Sequence, residues 1–125
     1  MAVVKFSKSH PNAYPPVPND VGYDIATLGD IVIPPHKLTN RVHPVSTGIK
    51  IEVPKGYYVT IKMRDIYASN TKLRLVNGHV EDGEIILWIE NIGKYEQRIA
   101  AGQYIAEMFF HKVDNVKVEV NGFEL

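Results

Sequence analysis

The chain has no cysteine, which excludes disulfides and cysteine metal sites and leaves the redox compartment open. It also lacks a charge excess: 14 Lys and Arg stand against 14 Asp and Glu, for a formal net charge of zero at pH 7. Without a basic excess there is no electrostatic footprint for broad nucleic-acid binding, and no nucleic-acid partner is expected. No apolar run approaches the roughly 20 residues of a membrane helix, so no membrane partner is expected either. Met1-Ala2-Val3-Val4-Lys5 does not read as a signal peptide, and a cytoplasmic protein is the expectation. The five histidines, His10, His36, His43, His79 and His111, have no ligand spacing such as His-Xaa-Xaa-Xaa-His, so no protein-built metal site is expected. No phosphate-binding glycine loop of the P-loop or dinucleotide type is present, and Ser and Thr lie in no nucleophile motif. Internal repeats, linkers and low-complexity segments are missing, and no stretch sustains a helical apolar period for three turns.

What is present reads as an all-β protein. At 125 residues the chain is one domain, residues 1–125, with enough length for a core but a marginal amount for a solitary enzyme cleft. Eight Pro and nine Gly divide it into short runs rich in Val, Ile and Tyr. Strands are predicted at Val3–Phe6, Asp30–Ile33, Arg41–Val45, Gly48–Glu52, Tyr57–Met63, Ile85–Glu90, Gln97–Ile99, Tyr104–His111 and Val116–Val120. Within Gly48–Glu52, Ile49 and Ile51 alternate with Lys50 and Glu52, the period of a half-buried strand. Many short strands with turn punctuation predict a jelly roll or barrel-like sandwich. His10–Asp20, with four prolines, reads as an ordered extended segment. Trp88, Tyr57, Tyr58, Tyr95, Phe109 and Phe110 read as core or subunit-interface residues.

Several phrases recur in a particular order. Gly22-Tyr23-Asp24-Ile25 leads into Asp30-Ile31-Val32-Ile33-Pro34-Pro35, and then Thr47-Gly48-Ile49-Lys50-Ile51-Glu52-Val53-Pro54-Lys55-Gly56-Tyr57-Tyr58. Arg64, Asn77-Gly78, Gly83-Glu84-Ile85, Asn91-Ile92-Gly93 and Gly102-Gln103-Tyr104-Ile105-Ala106 follow. This series resembles the trimeric dUTPase family over almost the whole chain. The resemblance implies a β-clip type jelly roll assembled as a homotrimer, with sites between subunits. It also implies magnesium-dependent hydrolysis of dUTP to dUMP and pyrophosphate. Such a reaction needs a carboxylate that activates water, a divalent metal held mainly by the triphosphate, donors that neutralise phosphate charge, and a lid.

By resemblance, Asp24 supports the metal–phosphate site through its neighbours; read from the residues alone, it caps a turn after Gly22. Arg64 matches a phosphate ligand, for which a guanidinium has the right geometry, or else forms a surface ion pair. Other positions depart from the family. The hairpin Val76-Asn77-Gly78-His79-Val80-Glu81-Asp82-Gly83-Glu84-Ile85 is several residues short and lacks the tyrosine that stacks on deoxyribose. Glu81 or Asp82 is then the candidate catalytic carboxylate, or Glu81-Asp82-Gly83 is simply a tight solvated turn. Asp65 replaces an expected serine, Glu107 an expected glutamine and Tyr104 an expected arginine. Gly122-Phe123 is similar to part of the family's closing arm, but it lacks the Arg, Ser and Thr, and Phe123 reads as packing.

The candidate ligand-binding residues are Arg64, Asp65, Asn77, His79, Lys72, Arg74 and Glu107. Lys62, Arg64, Lys72 and Arg74 fall close together in sequence, with Lys72 and Arg74 expected on one strand face opposite Leu73 and Leu75. If they converge with Arg64 they bind an anionic ligand. Three functions remain open. One is a non-hydrolytic relative that binds a nucleotide-like or other anionic ligand, or a protein, in inter-subunit clefts. Another is an active dUTP diphosphatase with a remodelled site, using Mg2+. The third is a structural oligomerisation module. The small size and trimmed motifs are similar to those of viral or phage proteins.

Overall fold

The computed structural model describes residues 2–35, 42–81 and 83–122, with the side chains of His79 and Glu81 outside the description. Among the described residues, ten strands and one short helix follow in order: β1 (Lys5–Lys8), β2 (Val17–Pro18), β3 (Tyr23–Ala26), β4 (Ile31–Ile33), β5 (His43–Glu52), β6 (Tyr57–Met63), α1 (Asp65–Asn70), β7 (Leu73–Glu81), β8 (Glu84–Asn91), β9 (Gln97–Ile99) and β10 (Tyr104–Lys112). One sheet has the order β1-β5-β8-β7, a second β2-β3-β10-β6, and a third pairs β4 with β9. Every recorded strand pair is antiparallel. The expected all-β jelly roll is the fold of the chain.

Alternation explains how the sheets meet. Ile85, Leu87, Ile89 and Asn91 of β8 are buried, while the residues between them are half-buried. Val45, Ile49 and Ile51 of β5 join them from the same sheet; Ile25, Met63, Ile105, Ala106 and Met108 come from the opposing sheet, and Ile33 and Ile99 from the third. Each buried aliphatic side chain contributes roughly 1.5–3 kcal/mol relative to exposure. Two of the buried polar side chains tie strands together. Thr47 Oγ1 donates to the Ile85 carbonyl (2.8 Å), and Asn91 Nδ2 donates to the carbonyls of Ile33 (3.0 Å) and Tyr95 (2.7 Å).

The structure revises several sequence expectations. Arg41–Val45 and Gly48–Glu52 read as separate strands, but His43–Glu52 is one strand whose register to β8 shifts between Ser46 and Lys50. Gly48, at φ 66°, supplies the left-handed residue inside that irregularity; Arg41 lies outside the described residues. Asp65–Asn70 is helical although no helix was expected, because six residues are too few to show a helical period. Val116–Val120 forms no strand: Val116, Val118 and Val120 are 74%, 77% and 63% exposed. Among the described residues no helix is long and apolar enough to cross a membrane.

Candidate functional site

One row of residues crosses the second sheet. Asp24 on β3 pairs in register with Glu107 on β10, and Glu107 pairs with Lys62 on β6. Like charges directly opposite each other are unfavourable on a sheet, so the Asp24–Glu107 pair needs compensation. Asn19 supplies part of it. Its Nδ2 donates to Asp24 Oδ1 (2.9 Å) and to Glu107 Oε2 (3.4 Å). Its Oδ1 accepts from the backbone N–H groups of Val21 (2.9 Å) and Gly22 (2.7 Å), which closes an Asx-type turn. The Asn19 N–H donates to the Gly22 carbonyl (2.9 Å). The chain corner before Tyr23 is thereby tied to both carboxylates.

Cations supply the rest. Arg64 follows the last residue of β6, and its backbone N–H continues the ladder by donating to the Ile105 carbonyl (2.8 Å). That anchors the guanidinium beside β3 and β10: Nε lies 3.7 Å from Asp24 Oδ1, and an Nη donates to the Tyr104 carbonyl (3.0 Å). Lys62 Nζ stands 3.6 Å from Asp65 and 3.9 Å from Glu107. Asp24 and Glu107 side chains are only 17% and 16% exposed, whereas Asp65 is 91% exposed and free to swing outward. Asn19, Asp24, Arg64, Asp65, Ile66 and Glu107 line a cavity of about 240 Å³. Two partly buried carboxylates therefore face one guanidinium and one ammonium across a neutral amide.

A larger cavity of about 470 Å³ runs between β6 and β7, lined by Lys62, Met63, Arg74, Asn77 and Gly78 among others. Gly78 is required there, because a Cβ would sit 2.7 Å from Ile61 Cβ. Lys62 lines this cavity and also pairs with the carboxylates of the smaller one.

The expected residues therefore divide. Arg64, Asp65, Glu107 and Asp24 meet in one cavity; Asn77 and Arg74 line the other. The expected convergence of Arg64, Lys72 and Arg74 does not occur within the chain. Arg74 folds back, its guanidinium donating to the carbonyls of Leu73 (2.6 Å) and Thr71 (3.1 Å). Lys72 precedes β7 instead of sharing its face, and its side chain packs beside Gly93. The strands of the hairpin pair down to Glu81 opposite Glu84, leaving only Asp82 and Gly83 between them. Asp82 lies outside the described residues, as do the side chains of Glu81 and His79, and Phe123. Among the described residues no group of three or more His, Cys, Asp or Glu is arranged to hold a metal ion. Magnesium commonly needs only one or two carboxylates beside substrate phosphates, and Asp24 and Glu107 fit that more modest role. Asn19 was missed from sequence; its signal was the turn-forming Asn-Asp-Val-Gly run before Tyr23.

Comparison with known proteins follows the same lines. The dUTPase family model matches residues 10–124. The deoxyuridine 5'-triphosphate nucleotidohydrolase of Hydrogenobaculum sp. is 35% identical over 104 residues, covering 79% of this chain and 69% of that protein. The protein of the same name from Caldanaerobacter subterraneus is 36% identical over 95 residues, covering 72% of this chain; the match spans 62% of that relative's length. In structure, the Staphylococcus bacteriophage 80alpha dUTPase with dUPNHPP superposes with a TM-score of 0.82 at 20% identity, covering 100% of this chain and 92% of that one.

Proposed function

The chain belongs to the dUTPase family, and from that premise we propose that it binds a nucleotide, phosphate end in the Arg64 cavity, without hydrolysing dUTP at an ordinary enzyme rate. The observation that carries this is Arg64 itself: a guanidinium anchored at a strand end, facing a cavity, in a chain whose relatives are named for a nucleotide substrate. Two features oppose fast hydrolysis. Asp65 and Glu107 put negative charge where phosphate oxygens would sit, and only Asp82 and Gly83 separate the strands of the hairpin that would present the water-activating carboxylate. Losing one preorganised donor typically costs about a hundredfold or more in rate.

A second reading is an active dUTP diphosphatase, and the names of the curated relatives favour it. Here Glu81 or Asp82 activates water, and Mg2+ is held by the triphosphate with Asp24 or Glu107. Pyrophosphate release from dUTP with magnesium separates the two. Turnover far below about 1 s⁻¹, the low end for ordinary enzymes, supports binding without efficient chemistry. Turnover at that level or above supports the hydrolase, and Glu81→Gln and Asp82→Asn then identify the base.

We also propose that the working form is a homotrimer. Arg64 and Asn77 line different cavities in one chain; a second copy is what could bring a hairpin to the Arg64 cavity. Val116, Val118 and Val120 alternate with Lys117 and Glu119 in strand fashion, yet stand exposed, and a neighbouring chain would bury them. A nucleotide ligand fits a cytoplasmic location. A protein partner or a purely oligomeric role is the outcome if no nucleotide binds.

A further inference from the structure

We infer that Glu107 sets the charge class of the ligand: the Arg64 cavity takes nucleoside monophosphates in preference to triphosphates. This rests on the proposed nucleotide site and specifies its ligand. The balance is local. The cavity is lined by the shielded carboxylates of Asp24 and Glu107, the exposed carboxylate of Asp65 and the Arg64 guanidinium, while Lys62 reaches Asp65 and Glu107 from the neighbouring cavity. Three carboxylates stand against two cations among these described residues, so they offer a polyanion no positive excess. The donors are also partly engaged. Arg64 uses one nitrogen on the Tyr104 carbonyl and turns Nε toward Asp24, while Lys62 is divided between Asp65 and Glu107.

Glu107 cannot easily leave. It sits mid-strand between Asp24 and Lys62, mostly shielded, with Asn19 Nδ2 on its Oε2. Asp65, almost fully exposed, can rotate into solvent and matters less. A single phosphate can be met by Arg64 after it releases Asp24, with Lys62 nearby. Each further phosphate adds repulsion from a carboxylate that cannot withdraw. At about 5 Å and a surface-like dielectric, one such charge pair is worth roughly tenfold or more in affinity.

Glu107→Gln isolates the charge. The amide oxygen of glutamine still accepts from Asn19, so the corner at Gly22 is kept. The test is calorimetric titration of dUMP, dUDP and dUTP into the full chain in magnesium-free buffer with a chelator. For the wild type, dUMP should bind at least as tightly as dUDP, and dUDP as tightly as dUTP. In Glu107→Gln the dUTP affinity should rise about tenfold, with dUMP changing less. Tighter binding of dUTP than of dUMP by the wild type overturns the inference, and that comparison needs no variant. A folded Glu107→Gln with no gain for dUTP overturns it too, while leaving the nucleotide site standing. If neither protein binds any of the three nucleotides, the proposed site itself is wrong and the inference falls with it.

Discussion

A Cβ on Gly22 would run into the carbonyl oxygen of Met108, so this glycine is fixed by the close passage of β10 behind the corner that carries Asp24. Backbone cannot move aside as a flexible side chain can, and Gly22→Ala should cost about 3 kcal/mol; a thermal melt within a degree of wild type would contradict that. On the proposed function Arg64 would serve both the fold and the ligand. Removing it deletes a bond to the Tyr104 carbonyl and a partner of Asp24, so Arg64→Ala should lose about 0.5–1.5 kcal/mol of stability. It should also lose about 1–3 kcal/mol of nucleotide affinity. Arg64→Lys, which keeps the charge but cannot make both contacts, should fall between in affinity. Arg64, Asp24 and Glu107 were legible in the sequence because each sits beside a phrase whose position is set by the fold. Asn19 was not, because its importance lies in a contact with Glu107, 88 residues away.

Among the elements, β6 and β9 were legible to the residue: β6 is a run rich in Tyr, Val, Ile and Met, and β9 is a short segment ending at Ile99 just before the turn at Ala101 and Gly102. Helix α1 was not: its stability comes from packing Tyr67 and Ala68 against the core, which no local period announces. The β7–β8 hairpin read as several residues short of the family's, and in the structure its ladder closes all the way to Glu81 and Glu84. Asn91 terminates β8 and ties it to β4 through the Ile33 carbonyl and to the following turn through Tyr95 and Gly93. Asn91→Ala strands several buried polar groups at once and should cost about 2–4 kcal/mol. Hydrogen exchange should show the loss first in the β4–β9 pair; uniform protection across all three sheets would contradict this.

For the whole molecule, one core joins the three sheets among the described residues, but the features that look functional are not gathered in one place. Arg64 faces one cavity and Asn77 another, and three valines stand in solvent near residue 118. The sequence resemblance indicated a trimer; the separation of the two cavities, which only coordinates reveal, supplies a reason for one. Light scattering at micromolar concentration should give three times the 14.1 kDa chain mass. Val118→Asp, placed in the exposed segment, should shift the assembly toward smaller species, and an unchanged mass would remove that segment from the interface.

On the proposed function, Arg64 anchors the phosphate end of a nucleotide. Its most direct test is calorimetric titration of dUMP into the wild-type chain and into Arg64→Ala, both confirmed folded by thermal melting. Saturable binding that weakens about tenfold or more in the variant is the expected result. Equal affinity in the two proteins would contradict it.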